Sequence, residues 1–255
     1  MSATLPPELE TLARIALAAG AVVMRHYESG AAARVKADAS PVTDADEEAE
    51  QVILAGLGRA FPGIPVVAEE EAAAGRIAAA DKHFFLVDPL DGTREFLSRN
   101  GEFTVNIGEI RDGVPVRGVV FAPALGRLFA GAAGIGAFEA GPDLNSVHRI
   151  AARPAPDDGL VAIGSRSHGD AQTADYLKSF NVRAFKTAGS SLKFCLLAAG
   201  EADIYPRAGR TMEWDTAAGH AVLLAAGGNV TSWNGTPFTY GKPGFENGAF
   251  VAKGR

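Results

Sequence analysis

The sequence predicts a layered α/β sandwich of two units: an N-terminal α+β unit with a large antiparallel sheet (1–155) and a smaller C-terminal α/β unit (156–255). Between residues 83 and 138, runs rich in Val, Ile and Phe are separated by short turns, which is typical of an antiparallel meander. From residue 160 onward, strand-like and helix-like segments alternate instead. The segment Arg153–Gly159, with two prolines, two acids and a glycine, is the expected linker.

The N-terminal unit is expected to begin with two helices. Apolar residues recur at helical spacing over 7–28, and a second helix over 43–60 starts with a capping box formed by Thr43 and Asp46. A short apolar run then stops at the acidic cluster Glu69–Glu71. The meander follows, with expected strands at 83–87, 103–110, 114–121 and 127–138 and a hairpin turn at 131–136.

The C-terminal unit is expected to alternate strands with helices. Expected strands are 160–164, 182–187 and 202–205, and expected helices are 170–180, 190–199 and 215–226. Asp215 opens the last of these helices, where aspartate is a common N-cap. A carboxylate held at a helix start can also ligate a metal, so both interpretations of Asp215 stay open.

Composition excludes several classes of function. The 24 Lys and Arg against 30 Asp and Glu give a net charge of −6, which argues against general nucleic-acid binding. A single cysteine excludes a disulfide framework and a cysteine-based zinc site. No apolar run reaches the roughly 18–20 residues that span a bilayer, and Glu8 and Glu10 stand where a secretory signal would be basic. We therefore expect a cytoplasmic protein, with peripheral membrane association left open.

The segment with most chemical information is Phe84–Thr93, an apolar strand that runs into the string D-P-L-D-G-T. Asp88 and Asp91 flank Pro89 and can point at one place beyond the strand. Two close carboxylates repel unless they are protonated or neutralised, and Mg²⁺ neutralises them with oxygen ligands. A helical turn beginning at Thr93 would add an anion site beside the metal. This order of carboxylates and a helix start suits metal-assisted phosphoryl transfer.

The order Glu-Glu, D-P-L-D-G-T and W-D-x-A-A-G resembles the inositol monophosphatase superfamily of Mg²⁺-dependent, Li⁺-sensitive phosphatases, and the likeness extends over nearly the whole chain. That superfamily implies an αβαβα layer order with the active site between the two units. Within it, the chain is most similar to the bacterial 3′(2′),5′-bisphosphate nucleotidases of sulfur assimilation. The segments that carry this narrower likeness are 94–106, 165–168, 189–196, 205–207 and 214–222.

The resemblance implies a role for each matching position. The metals, two or three Mg²⁺ ions, would be held by Glu69, Asp88, Asp91, Asp215 and the carbonyl of Leu90. Gly92 and Thr93 would bind the scissile phosphate through their backbone, and Thr93, paired with Asp46, would activate the attacking water with Glu70 as a helper. Asp46 is also the residue expected in the capping box. Further substrate contacts would come from His168, Ser190, Lys193 and Arg207.

The implied reaction is hydrolysis of adenosine 3′,5′-bisphosphate to AMP and phosphate, with the sulfated nucleotide as a second substrate. The alternatives within the superfamily are an inositol, fructose-bisphosphate or histidinol phosphate phosphatase. A non-catalytic metal- or ligand-binding relative is the alternative of another class. The Gly-Ser-Arg-Ser-His-Gly segment around His168 does not match G-x-S-x-G, which argues against a serine hydrolase. The chain is expected to act as a monomer or a homodimer.

Overall fold

The computed structural model describes residues 4–30, 32–35, 41–165 and 171–255, and its elements follow the expected order. The helices are α1 (Pro7–Ser29), α2 (Asp44–Ala60), α3 (Glu69–Ala73), α4 (Thr93–Leu97), α5 (Ala171–Leu177), α6 (Leu192–Ala198) and α7 (Glu213–Ala225). The strands of the first half are β1 (Ala33–Val35), β2 (Pro41–Thr43), β3 (Val66–Ala68), β4 (His83–Asp91), β5 (Thr104–Arg111), β6 (Val114–Ala122), β7 (Arg127–Ala132), β8 (Gly136–Ala140) and β9 (Val147–Ile150). Those of the second half are β10 (Leu160–Ser165), β11 (Val182–Ala188), β12 (Ile204–Arg207), β13 (Thr211–Met212), β14 (Asn229–Ser232), β15 (Glu246–Asn247) and β16 (Phe250–Lys253).

The two large sheets and their helices stack in five layers, which confirms the expected sandwich. A seven-stranded sheet runs from β3 to β9 in chain order, and its strands are antiparallel except for the parallel pair β3 and β4. Helices α1 and α2 cover one face of it, and α6 and α7 cover the other. A five-stranded mixed sheet, in the order β11-β10-β12-β16-β14, lies beyond α6 and α7. Helix α5 packs on the outer face of this second sheet.

A row of glycines brings α7 unusually close to the large sheet. Gly108, Gly118 and Gly131 are cross-strand neighbours on β5, β6 and β7. A Cβ atom at Gly108 would come within 2.8 Å of the Ala217 side chain, and one at Gly118 would collide with the Ala218 carbonyl. Because these positions carry no side chain, the alanine-rich face of α7 rests directly on the strands. This contact fixes the height of α7 above the sheet.

The expected strand 127–138 is wrong as a single element, because residues 133–135 turn the chain between β7 and β8, in agreement with the expected hairpin at 131–136. Residues 151–159, after β9, form no helix or strand. We propose that the boundary between the two units lies there, near residue 155. In the described part of the chain, no helix combines the length and the apolar character needed to cross a bilayer.

Candidate active site

Asp88 and Asp91 lie at the end of β4, on either side of a β-bulge. Asp88 pairs with Asn106 and Asp91 with Thr104, so β4 advances three residues while β5 advances two. In a regular strand, residues three apart face opposite sides, but the extra residue returns both aspartates to the same side. Pro89 is compatible with the bulge because the interrupted pairing asks no hydrogen bond of its nitrogen. The expected convergence of the two carboxylates therefore arises from this bulge.

Asp91 is fixed from both halves of the chain. Its Oδ2 accepts a hydrogen bond from the Ser191 backbone N–H at 2.6 Å and another from Asn106 Nδ2 at 3.3 Å. The Ser191 hydroxyl in turn donates to Asn106 Oδ1 at 2.6 Å and lies 2.9 Å from the Thr104 hydroxyl. The hydrogen bonds that the structure gives Asp91 thus engage Oδ2 and set the orientation of the whole carboxylate.

Asp215 comes from the second half and lies at the start of α7. It occupies the third position of this helix, so the expected N-cap at Asp215 is wrong by three residues. Its Oδ2 accepts the backbone N–H of Met212 at 2.8 Å, the reciprocal half of a capping box. The helix begins two residues earlier than expected, at Glu213, whose carboxylate accepts the backbone N–H groups of Gly241 and Lys242, and Trp214 packs in the core. Asp215 lines the same cavity as Asp91.

Glu69 and Glu70 open the short helix α3, directly after β3. The acidic cluster Glu69–Glu71 therefore forms the first three residues of a helix. Because β3 and β4 run parallel, their carboxyl ends meet at one edge of the sheet, and Glu69 comes to line the cavity beside Asp91. Glu70 and Glu71 donate their backbone N–H groups to the carboxylate of Glu50 on α2.

The four carboxylates of Glu69, Asp88, Asp91 and Asp215 influence one another electrostatically. Burial raises the pKa of Asp88 well above its ordinary value, and the charges of Glu69, Asp91 and Asp215 raise it further. Burial also raises the pKa of Asp91 to about 6, although the Lys193 charge opposes this. The pKa of Asp215 is raised by burial and then by the charges of Asp91 and Glu69. Three aspartates with raised pKa values, and the charge of Glu69 beside them, are a set that a cation would stabilise.

The chemistry of these donors fits a hard divalent cation. All of these donors are oxygen atoms, which Mg²⁺ prefers. The Leu90 carbonyl, which lies in the chain between Asp88 and Asp91, adds a neutral oxygen to the set. Within the described residues, no three or more His, Cys, Asp or Glu side chains are already gathered tightly enough to hold an ion as they stand. The carboxylates therefore form a converging but open set.

Thr93 and Asp46 form the expected hydroxyl–carboxylate pair. The Thr93 hydroxyl lies 3.2 Å from Asp46 Oδ1 and 3.4 Å from the Leu90 carbonyl, and it can donate to either oxygen. Asp46 Oδ2 accepts from both the backbone N–H and the hydroxyl of Thr43, each at 2.7 Å. The capping interpretation and the functional interpretation of Asp46 are compatible, because each uses a different carboxylate oxygen.

Gly92 turns the chain from β4 into α4. Its φ of 89° lies in the left-handed region, and a Cβ atom there would collide with the Ser190 hydroxyl. That hydroxyl lies 2.8 Å from both the Asp91 and the Glu102 carbonyls. Ser190 thus packs its side chain against the backbone of the first half, while both Gly92 and Ser190 line the cavity.

A cavity of about 700 Å³ opens above these residues and is lined by both halves of the chain. It brings together most of the expected site residues: Glu69, Asp91, Gly92, Thr93, Ser190, Lys193, Arg207 and Asp215. The other expected residues do not line it: Asp46 holds Thr93 from behind, Asp88 and Leu90 are buried at the end of β4, and Glu70 follows Glu69 on α3. His168 falls outside the described residues.

The cationic side chains of the cavity are held differently. The ammonium of Lys193 is buried and donates to the Ser190 carbonyl at 2.5 Å and the Ala188 carbonyl at 3.2 Å. Burial lowers the pKa of Lys193 to about 8, against the opposing charge of Asp91. The guanidinium of Arg207 donates to the carbonyls of Gly209 and Arg210. Lys193 therefore supports the turn at Ser190, and Arg207 is the more open cation.

Sequence reasoning missed several residues of the site. Glu50 lies one helical turn after Asp46, and this spacing could have placed the two carboxylates on one face. Asn106 and Ser191, which orient Asp91, left no signal, because their contacts join strands and helices far apart in the chain. Arg94 and Arg210 also line the cavity, and only its three-dimensional shape brings them there.

The comparisons with known proteins agree with this geometry. The model of the inositol monophosphatase family matches residues 6–253. The 3′(2′),5′-bisphosphate nucleotidase CysQ of Escherichia coli (strain K12) is 44% identical over 234 residues, which are 91% of this chain and 93% of that protein. The crystal structure of CysQ from Bacteroides thetaiotaomicron has a TM-score of 0.80 at 35% identity and covers 96% of this chain and 97% of its own. An IMPase of Thermotoga maritima, with a TM-score of 0.79 at 24% identity over 96% and 91%, shares the fold. The chain belongs to the inositol monophosphatase family.

Proposed function

We propose that the chain is a Mg²⁺-dependent phosphatase that hydrolyses the 3′-phosphate of adenosine 3′,5′-bisphosphate to give AMP and phosphate. The observation that carries this proposal is the meeting of half-buried carboxylates from both halves, Glu69, Asp91 and Asp215, with Thr93 at one cavity, behind which Asp46 holds the Thr93 hydroxyl. The CysQ relatives at 44% identity support a nucleotide bisphosphate over other phosphate esters. We propose the sulfated nucleotide, which also carries a 3′-phosphate, as a second substrate.

We propose that Glu69, Asp88, Asp91, Asp215 and the Leu90 carbonyl hold two or three Mg²⁺ ions. When bound, the ions would lower the pKa of a coordinated water and neutralise charge on the leaving oxygen. Each aspartate has one oxygen bound to a backbone N–H: Leu90 for Asp88, Ser191 for Asp91 and Met212 for Asp215. These bonds fix the carboxylate planes before any ligand arrives, and so reduce the reorganisation that binding requires.

The water-activating step falls to Thr93 and Asp46. The Thr93 oxygen would take a proton from the attacking water while the Thr93 hydroxyl proton passes to Asp46 Oδ1, so that hydroxide, neutral threonine and protonated Asp46 result. Asp46 is held for this role because Thr43 saturates its other oxygen with two hydrogen bonds. We propose that Glu70 assists from α3 and that the backbone N–H groups of Gly92 and Thr93 receive the scissile phosphate.

The second phosphate of a nucleotide bisphosphate needs its own cationic partner, because the net charge of −6 repels the substrate as a whole. We propose Arg207 as the direct contact, since its planar guanidinium can bind phosphate in a bidentate manner. Arg210 lines the cavity next to it and forms an exposed pair with Glu246 at 3.1 Å, which a phosphate could replace. Lys193 would act through the turn that it holds and through its remaining N–H. The proposed contact of His168 stays a prediction.

A phosphate-release assay with a panel of substrates tests the function. Adenosine 3′,5′-bisphosphate should be hydrolysed with a kcat/KM well above that of inositol monophosphate, fructose bisphosphate and histidinol phosphate, and only with Mg²⁺ present. Preference for one of the other esters would replace the nucleotide by that substrate. Release from none of them would favour a non-catalytic relative. Millimolar Li⁺ at moderate Mg²⁺ should inhibit, as the resemblance to the superfamily implies.

A further inference from the structure

Glu50 is a buried carboxylate that lies outside the set of ligands described above. Its side chain is 1% exposed, yet both oxygens are used: Oε2 accepts the backbone N–H of Glu70 at 2.8 Å, and Oε1 accepts that of Glu71 at 2.9 Å. The two donors belong to consecutive residues, so the carboxylate binds one stretch of backbone through two hydrogen bonds. These bonds fix both the position and the direction of the start of α3.

Helix α3, which Glu50 contacts, depends on contacts from outside the helix for its stability. Helix α3 has five residues, and an isolated helix of that length is not stable in water. Its N-cap residue, Ala68, offers no side-chain acceptor for the first N–H groups. Glu50 takes that place from a different helix. The orientation of Glu69 and Glu70 therefore depends on α2.

The choice of a carboxylate for this task is electrostatically unfavourable. Burial, and to a smaller extent the charges of Glu71 and Glu69, raises the pKa of Glu50 to about 7, whereas a serine or asparagine at position 68 would cap the helix without an ionisable group. A cap on residue 68 would satisfy the N–H groups but would not tie α3 to α2. The two hydrogen bonds of Glu50 make that connection between the helices.

Helix α2 carries Asp46 about one turn before Glu50, and both side chains are buried. Asp46 bonds to Thr93, beside the carboxylates at the end of β4, and Glu50 bonds to the start of α3, which carries Glu69. One rigid helix thereby sets the relative position of two separate segments of the site.

We propose that Glu50 is a positioning residue that sets Glu69 and Glu70 for metal binding and water activation, an inference that rests on the proposed function of those two residues. It contacts neither metal nor substrate in this proposal. It acts through the backbone of α3.

The test compares Glu50→Gln and Glu50→Ala with Glu109→Gln. Glu109 is a matched control, because it is also fully buried and hydrogen-bonded, to Arg117, Arg111 and His83. It lies five residues further along β5 than Thr104, roughly 17 Å from the site end of the strand. The readouts are the calorimetric Kd for Mg²⁺, the Mg²⁺-induced rise in Tm, and the Mg²⁺ concentration at half-maximal phosphate release.

Glu50→Ala should weaken Mg²⁺ binding about tenfold or more, as loss of a residue that orients a ligand typically does. Glu50→Gln keeps one acceptor oxygen, so its Kd for Mg²⁺ should lie between those of Glu50→Ala and the unaltered protein. This variant keeps the proposal testable if Glu50→Ala does not fold. Glu109→Gln should lower Tm and leave the Kd for Mg²⁺ unchanged. The KM for the nucleotide at saturating Mg²⁺ should change little in the Glu50 variants.

Unchanged Mg²⁺ affinity in Glu50→Gln and Glu50→Ala, or equal weakening in Glu109→Gln, would overturn the proposal and leave Glu50 a purely structural residue. Failure of the proposed function gives a different result. An unaltered protein that binds Mg²⁺ but releases no phosphate from nucleotides would contradict the function, while the order of Mg²⁺ affinities would still decide the role of Glu50.

Discussion

Asp91 joins the two halves of the molecule, because its carboxylate is held by Ser191 of the second half and Asn106 of the first. Asp91→Asn should reduce phosphate release by at least a hundredfold, since an amide neither neutralises a cation nor accepts at both positions, a loss of about 2.7 kcal/mol or more. The Mg²⁺-induced rise in Tm, measured by calorimetry, should shrink as well. Asp157→Asn, at an exposed position, is the control. Near-normal activity in Asp91→Asn would remove this residue from the mechanism.

Arg207 and Lys193 should respond differently to substitution, because their cations have different partners. Arg207→Ala should raise the KM for adenosine 3′,5′-bisphosphate by about tenfold or more, since a charge-assisted hydrogen bond contributes about 1.5–3 kcal/mol. It should leave inositol monophosphate, which has no second phosphate, almost unaffected. Lys193→Met should impair both substrates, because the buried ammonium holds the carbonyls of Ala188 and Ser190.

Steady-state kinetics with both substrates separates these roles. Arg183→Ala is a suitable control, since Arg183 forms an exposed pair with Asp158 in the second half of the chain. Equal effects of Arg207→Ala on the two substrates would show that Arg207 is structural. In that case the broader phosphatase function would stand without the nucleotide selectivity.

Among the elements, α7 depends most on a close backbone approach. Gly118→Ala places a methyl group where the Ala218 carbonyl lies, and overpacking of this kind costs about 1–3 kcal/mol. Urea unfolding should show this loss. Gly58→Ala on α2, where an added Cβ meets nothing within 4 Å, should instead stabilise by about 0.5–1 kcal/mol. Equal stabilities of the two variants would mean that α7 can shift away from the sheet without cost.

Helices were predictable from the sequence where their signals are local. The capping box of Thr43 and Asp46 and the apolar periodicity of α1 identify those helices within a few residues. Strands such as β14 and β16 lack this kind of signal, because they are four residues long and their pairing partners are set by the whole fold. The start of α7 was misplaced because Asp215 accepts the Met212 backbone N–H from the third position of the helix instead of standing before the helix as its N-cap.

The molecule as a whole should lose stability in acid through His220. This residue is buried against Tyr240, whose hydroxyl lies 2.9 Å from Nδ1, and Lys242 is the neighbouring charge. Burial, and then the Lys242 charge, lowers the pKa of His220 to about 3 from 6.5. In the unfolded chain His220 therefore becomes protonated below pH 6.5, whereas in the folded protein it stays neutral down to about pH 3.

The contribution of His220 is thus complete above pH 6.5 and falls as the pH decreases, by up to about 1.4 kcal/mol per pH unit. The free energy of unfolding, measured without Mg²⁺ from pH 8 to 4, should decline less in His220→Gln than in the unaltered protein. Both proteins share the cavity carboxylates, so the difference between the two curves isolates His220. Parallel curves would contradict the low pKa.

The site residues, like the helices and strands, were predictable from the sequence where their signals are local. Asp88, Asp91, Gly92 and Thr93 were predictable because one short string contains them, with a bulge and a turn that local residues favour. Asp215 could be a ligand by its place at a helix start, but only the resemblance grouped Asp215 and Glu69 with these residues, since nothing local says that the start of α7 and the end of β3 lie near the end of β4. The supporting contacts of Glu50, Asn106 and Ser191 were beyond prediction, because each joins segments at least fifteen residues apart.

The bulge in β4 also determines which substitutions at the site should reduce activity. It places Leu90 between the two aspartates, with its side chain buried in the core under α1 and α2. The ligand that we propose from Leu90 belongs to the main chain, so every amino acid supplies it. A saturation mutagenesis screen for activity should therefore rank substitutions at position 90 by size and shape, and those at 88 and 91 by charge. Only a change in chain length would remove that carbonyl.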